Sequence, residues 1–226
     1  MSLNQYFWTN RGEPINKWLH YLPIYERYFA RYRDRRILFL EIGTGNGGSA
    51  QMWKHYFGPA AQIVSVDVRE ECRAYADEQV AIRIGSQADP AFLQAIVDEF
   101  GAPDIVLDDG SHVAGDISAT FEFLYPQMPR EALYLVEDTH TAYWPNWGGG
   151  LGVPTTFIER MKRLVDELHA GNPYHKRQIG GDLPTSEIGR LTRAVHFYDS
   201  MVVVEKGAFI ARTSRSIPEV PGGKVW

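Results

Sequence analysis

The chain has 226 residues, 44% hydrophobic and 23% charged, with a formal net charge of -5 and one cysteine, Cys72. This is an ordinary globular balance, and the negative charge argues against a nucleic-acid partner, whose non-specific binding rests on neutralising phosphates. No disulfide framework within the chain is possible, no apolar run approaches the ~20 residues of a membrane helix, and Met1 to Asn10 lack the basic-then-apolar pattern of a secretory signal, so the expectation is a cytoplasmic protein.

Apolar spacing at Trp18, Leu19, Leu22, Tyr25, Tyr28 and Phe29 predicts a helix over 14–33, with a kink at Pro23. Its aromatic surface exceeds what one helix face needs, which leads us to expect a homo-oligomer. A first strand, Ile37 to Ile42 with Glu41 near its end, runs into Gly43-Thr44-Gly45-Asn46-Gly47-Gly48 and a helix reaching about Phe57. A second strand covers Gln62 to Val68 with Asp67 near its end, and a third covers Ala81 to Ile84, closing in a polar turn with Gln87. After a helix over Pro90 to Phe100, a fourth strand, Asp104 to Leu107, closes in Asp108-Asp109-Gly110-Ser111-His112. A helix over about 115–125 precedes the fifth strand, Ala132 to Val136, which closes in Glu137-Asp138-Thr139-His140. Beyond it come an aromatic, glycine-rich loop (Tyr143 to Gly152), a helix from about Pro154 to His169, and a polar loop over 170–190 with a short helix near 186–190. Ala194 to Tyr198 and Met201 to Lys206 then face each other across Asp199-Ser200, a hairpin signal.

Alternating strands and helices predict right-handed βαβ units and a mostly parallel sheet of seven strands, with helices on both faces and an antiparallel terminal hairpin. The expected organisation is one domain over 1–226, with a helical N-terminal extension over 1–35 and an irregular tail over 213–226. In such sheets ligands bind beyond the carboxyl ends of the strands, which is where every polar cluster named above falls.

The glycine turn fits two cofactors. In dinucleotide-binding folds it admits a pyrophosphate; in methyltransferases it lets the backbone approach the methionine moiety of S-adenosylmethionine. Glu41 would repel a pyrophosphate and can pair with an amino group, and the terminal hairpin also favours the methyltransferase plan. The expected cofactor set is therefore Glu41, Gly43, Gly45, Asp67 (to the ribose hydroxyls), Gln87 and Asp108. Asp109, Glu137 and Asp138 lie beyond adjacent strands, where three carboxylates would repel unless a hard divalent cation such as magnesium joined them. His112 is the expected general base, with His140 its rival. Tyr143 and Trp144, with Trp147, read as a lid over an acceptor, and His20 and Tyr21 as further lining of the same cleft.

Lys17-Trp18, His20-Tyr21-Leu22-Pro23-Ile24-Tyr25-Glu26-Arg27, Leu40-Glu41-Ile42-Gly43 with Gly47-Gly48-Ser49, Asp108-Asp109-Gly110-Ser111-His112, and Val136-Glu137-Asp138 with Tyr143-Trp144 together resemble the macrocin and mycinamicin sugar O-methyltransferases and related rhamnosyl O-methyltransferases of antibiotic pathways. The resemblance spans roughly 15–150. It implies a class I methyltransferase fold, S-adenosylmethionine and magnesium as cofactors, and methylation of a deoxysugar hydroxyl on a glycosylated small molecule, with Asp109, Glu137 and Asp138 as metal ligands and His112 as base. Asn16 stands where the family has an acid, and 170–190 has no counterpart. A β-lactam acceptor, a non-catalytic S-adenosylmethionine-binding protein and a nicotinamide-dependent oxidoreductase are the alternatives.

Overall fold

A computed structural model describes residues 1–172, 175–207 and 217. The expected tail over 213–226 therefore lies outside the described residues, apart from Ile217. In chain order the elements are α1 (Leu3–Thr9), α2 (Tyr21–Phe29), β1 (Leu38–Ile42), α3 (Gly48–Phe57), β2 (Gln62–Asp67), β3 (Val80–Ile84), α4 (Pro90–Phe100), β4 (Ile105–Asp108), α5 (Ala114–Gln127), β5 (Leu133–Val136), α6 (Phe157–His169), α7 (His175–Ile179), α8 (Glu187–Leu191), β6 (Thr192–Tyr198) and β7 (Met201–Lys206).

The seven strands form one sheet in the order β3-β2-β1-β4-β5-β7-β6. Pairing is parallel from β3 through β5, and β7 enters antiparallel between β5 and β6. This is the class I methyltransferase sheet that the sequence pattern predicts, and among the described residues no helix is long and apolar enough to cross a membrane.

Alternating side chains send successive strand residues to opposite faces. Phe39, Ile63, Leu107 and Leu135 meet Tyr25, Phe29, Trp53 and Phe57 on the α1–α3 side. Leu40, Val64, Val106 and Tyr134 meet Phe121, Tyr125, Phe157 and Leu164 on the α4–α6 side. This parity also decides where the acids beyond the strands point.

The N-terminal region departs from expectation. The helix starts at Tyr21 rather than near 14, and Pro23 sits in its first turn, where a missing N–H costs nothing. Tyr21, Leu22, Ile24, Tyr25, Tyr28 and Phe29 are all buried against the chain's own core, while Trp18 and Leu19 are exposed. A short helix, α1, is capped by Ser2, whose hydroxyl accepts from the Gln5 N–H while the Gln5 side chain accepts from the Ser2 N–H. Between α1 and α2, residues 10–20 cross the carboxyl end of the sheet as an irregular strap.

Candidate active site

The ladder between strands runs one residue past each strand end. The Gly43 N–H donates to Val66 O (2.8 Å), Asp109 N–H to Ile42 O (2.9 Å) and Glu137 N–H to Asp108 O (2.9 Å). These bonds bring the turns after β1, β4 and β5 side by side. Gly43 has φ +96, and a Cβ there would stand 2.1 Å from the Asp109 carbonyl oxygen, so only glycine allows the two turns to touch. Gly48 does the same for the strap: its Cβ would meet the Pro14 carbonyl oxygen at 2.3 Å.

Two adjoining cavities follow from this packing. One, of about 310 Å³, lies between the strap (Pro14, Lys17, Trp18), the glycine turn and Asp109, His112, Glu137 and Asp138. The other, of about 320 Å³, is bordered by Asp67, Val68, Arg69, Ser86 and Ser111. They share Gly43, Gly45 and Asp109 as a common wall, so together they form one groove along the carboxyl rim.

In the first cavity Asp109, His112 and Asp138 each place one donor atom within 4.8 Å of the others. His112 Nε2 lies 3.8 Å from Asp109 Oδ1 and 3.9 Å from Asp138 Oδ2. Two carboxylates and an imidazole at this spacing fit a small divalent cation; a hard ion prefers the oxygens, a softer one takes the nitrogen as well. Both His112 (φ 58) and Asp138 (φ 51) adopt the left-handed conformation that non-glycine residues rarely take. Such strain is sustained only where neighbours over-determine it. Here the Thr141 hydroxyl lies 3.1 Å from the His112 carbonyl and 2.9 Å from the Asp138 carbonyl, and the Trp147 ring stands 6.0 Å from the imidazole.

Glu137 lines the same cavity, although its carboxylate is not among the three groups whose donor atoms already converge. On the same side of the sheet as Leu135, it faces α2 and the strap and is 2% exposed. Its Oε1 accepts from Lys17 Nζ (2.8 Å) and from the Tyr25 hydroxyl (2.5 Å). Lys17 Nζ also donates to Asp109 Oδ2 at 2.5 Å. Burial pushes the Glu137 carboxyl up and Asp109 adds to this, while Lys17 and Tyr25 pull it down. Burial works against the Lys17 charge, but Asp109, Glu137 and Glu41 outweigh it and hold the ammonium protonated. Deleting one partner of such a buried pair costs about 3–5 kcal/mol.

Three of the expected cofactor residues have side chains engaged by protein partners. Glu41 is fully buried, with Oε1 accepting from the Trp53 indole (2.8 Å) and Oε2 from the Ser65 hydroxyl (3.0 Å); burial raises its pKa, and it lines neither cavity. Asp108 points to the α5 face, where both its oxygens accept from Gln87 Nε2 (3.1 and 3.2 Å), and burial pushes its carboxyl up to about 7. Gln87 borders the second cavity, but its side chain bridges Asp108, Thr120 and the Ser111 N–H. Gly43, Gly45 and Asp67 do line the groove. Asp67 accepts from the Gly45 N–H (3.1 Å) and from Arg69 Nε (3.2 Å); burial opposes its charge, and these bonds more than offset it, so its pKa is lowered.

The expected acceptor-lining residues divide as well. Tyr21 is buried, and its hydroxyl donates to Asp138 Oδ1 (2.7 Å), which makes it a support of the site and not a wall of the cleft. His20 is exposed, lines neither cavity, and meets the Asp199 carbonyl at 3.1 Å. Tyr143 and Trp144 are exposed on the same rim. His140, the rival base, packs between Trp144 (4.8 Å) and Trp18 (6.3 Å) and is outside both cavities. Sequence reasoning assigned no role to Lys17, Tyr25 or Thr141. Their signal was weak: one lysine, one core-like aromatic and one hydroxyl, far from the acids in sequence or on an unassigned turn.

No family model matches the chain. It is 36% identical over 203 residues to the 8-demethyl-8-alpha-L-rhamnosyl tetracenomycin-C 2'-O-methyltransferase of Streptomyces olivaceus, covering 85% of this chain and 52% of that protein. It is 34% identical over 206 residues to the demethylmacrocin O-methyltransferase of Streptomyces fradiae, covering 84% and 50%. The chain thus spans about half the length of the curated relatives it matches. Among solved structures, the MycE methyltransferase of the mycinamycin pathway, in complex with Mg, S-adenosylhomocysteine and mycinamycin VI, superposes with a TM-score of 0.77 at 32% identity, over 91% of this chain and 53% of that one. The O-methyltransferase TomG from Streptomyces achromogenes shares the fold, with a TM-score of 0.52 at 14% identity over 91% of this chain and 89% of that one.

Proposed function

We propose that this chain, placed by its sequence with the sugar O-methyltransferases of antibiotic pathways, transfers a methyl group from S-adenosylmethionine to a hydroxyl of a glycosylated small molecule, with a magnesium-class cation. The observation that carries this reading is the convergence of Asp109, His112 and Asp138 on one cavity that shares a wall with the glycine turn. The relatives support the reaction class by their names, and the MycE complex supports both cofactors.

In this reading the donor lies along the groove, with Gly43 and Gly45 admitting its methionine part and Asp67 accepting from its ribose. Asp109, Glu137 and Asp138, which line one cavity, would hold the cation, which when bound supplies positive charge beside the acceptor hydroxyl. His112 Nε2 takes the hydroxyl proton. The freed oxygen pair forms the new O–CH₃ bond as the S–CH₃ bond breaks, and its electrons stay on sulfur, giving S-adenosylhomocysteine. The protein's contribution is alignment and a fixed charge pattern. Tyr143, Trp144 and Trp147 provide aromatic faces at the rim for the acceptor. The buried thiol of Cys72 suits a reducing, cytoplasmic setting.

The test is methyl transfer from labelled S-adenosylmethionine to a panel of macrolide, rhamnosylated polyketide and β-lactam acceptors, with Mg²⁺ or with chelator. Label on a sugar hydroxyl only when Mg²⁺ is present supports the reading. Transfer to none of the panel, with S-adenosylhomocysteine failing to bind in calorimetry, overturns it.

A further inference from the structure

We infer that Arg69 is a positioning residue for the methyl donor: its guanidinium ties the glycine turn after β1 to Asp67 at the end of β2, and so orders the turn before the donor arrives. The turn needs such a tie. Gly43, Gly45 and Gly47 all have positive φ (+96, +57 and +77), and a Cβ at Gly45 would meet no atom within 4 Å, so packing does not fix the middle of the turn. Hydrogen bonds do. The Gly45 N–H donates to Asp67 Oδ2 (3.1 Å), and the Gly45 carbonyl accepts from Arg69 Nη2 (2.6 Å). The Cys72 thiol stands 3.5 Å from the same carbonyl, a weaker contact. Arg69 reaches Asp67 with Nε (3.2 Å to Oδ1) and Nη2 (3.4 Å to Oδ2), and its backbone N–H donates to Oδ1 (3.0 Å). Glu71, exposed, lies 3.9 Å from Arg69 Nη1.

The planar fork suits this task, because one guanidinium spans a carboxylate and a carbonyl at once, where an ammonium is a single point of charge. Gly45 borders both cavities, and Arg69 and Asp67 border the second, so the knot sits along the groove that the donor would occupy. The Arg69 side chain is 43% exposed. An ion pair this open contributes little to folding, so its effect falls on the shape of the turn. The inference rests on the donor-binding part of the proposed function and not on the cation or the identity of the acceptor.

S-adenosylhomocysteine is the probe, titrated by calorimetry into wild type, Arg69→Met, Arg69→Lys, Asp67→Asn and the double variant Asp67→Asn/Arg69→Met. Losing a charge-assisted hydrogen bond to the turn is expected to weaken binding about tenfold in Arg69→Met, with the melting temperature within about 3 °C of wild type. Arg69→Lys keeps the charge but not the fork, and is expected to stay at least about threefold weaker than wild type. Once Asp67→Asn has removed the charged anchor, adding Arg69→Met should cost less than about threefold more. In steady state, with the panel acceptor that takes label, Arg69→Met should raise the donor KM about tenfold and leave kcat within about twofold. Tighter binding in Arg69→Met would show a guanidinium that competes with the donor for Asp67, and would overturn the inference. Unchanged binding, full recovery in Arg69→Lys, or a fall of kcat and melting temperature in step with affinity would overturn it too. Wild-type protein that binds no S-adenosylhomocysteine would overturn the donor reading beneath it as well.

Discussion

The Tyr21 hydroxyl holds Asp138 at two points, donating to Oδ1 at 2.7 Å and accepting from the Asp138 N–H at 3.2 Å. It thus fixes both the carboxylate and the left-handed backbone of the residue that carries it. Supports of this kind typically contribute 10- to 100-fold to metal affinity or activity. Tyr21→Phe is predicted to raise the Mg²⁺ concentration for half-maximal rate about 10-fold or more, and to cost about 1–3 kcal/mol of stability because the buried hydroxyl also lies 2.9 Å from the Ser200 carbonyl. An unaltered Mg²⁺ dependence would remove Tyr21 from the site.

Metal exchange separates the roles of the carboxylates from that of the imidazole. Chelation is expected to abolish transfer and Mg²⁺ or Mn²⁺ to restore it. Zn²⁺ and Ni²⁺, which accept nitrogen readily, are expected to bind and inhibit by recruiting His112 as a further ligand. Equal turnover with Zn²⁺ would show that the His112 nitrogen is not needed free.

Gly43→Ala places a methyl group 2.1 Å from the Asp109 carbonyl at a φ of +96. The turns after β1 and β4 must separate, at a cost of about 1–3 kcal/mol. S-adenosylhomocysteine binding by calorimetry is predicted to weaken at least 10-fold, because this turn forms the wall common to both cavities.

Away from the site, Asp77 ties the approach to β3 to α3. It accepts from Lys54 Nζ (2.7 Å), Gln51 Nε2 (3.0 Å) and the backbone N–H groups of Gln79 (2.8 Å) and Val80 (3.0 Å). Burial opposes its charge, but these donors prevail and hold its pKa well below the usual carboxylate range. A depressed carboxylate stabilises the fold above its unfolded pKa of about 3.9 and loses that contribution as pH falls below it. Asp77→Asn is predicted to cost about 1–2 kcal/mol at pH 7, with the gap to wild type narrowing below about pH 4. Urea titrations at the two pH values measure this; a constant gap would contradict the charge argument.

The sheet was legible because each strand is a short apolar run closed by a polar turn, and the terminal hairpin announced itself in Asp199-Ser200 between β6 and β7. Asp109, His112 and Asp138 were legible because they follow strands that the topology makes neighbours. Strand parity places the acids: Glu41 lies on the Phe39 side of β1, Asp109 on the Leu107 side of β4 and Glu137 on the Leu135 side of β5, all toward the α1–α3 layer, while Asp108 turns to the opposite face. The strap was not readable: Lys17 meets Asp109 across 92 residues, and the apolar spacing continuing through 14–20 mimicked a helix that starts only at Tyr21.

The measurement that bears most directly on the account is single-turnover methyl transfer by His112→Ala beside wild type, with donor and Mn²⁺ binding measured on the same samples. The account predicts that both ligands still bind while the transfer rate falls at least 100-fold, the scale of a positioned general base, with the fold intact. Wild-type transfer by His112→Ala would contradict it.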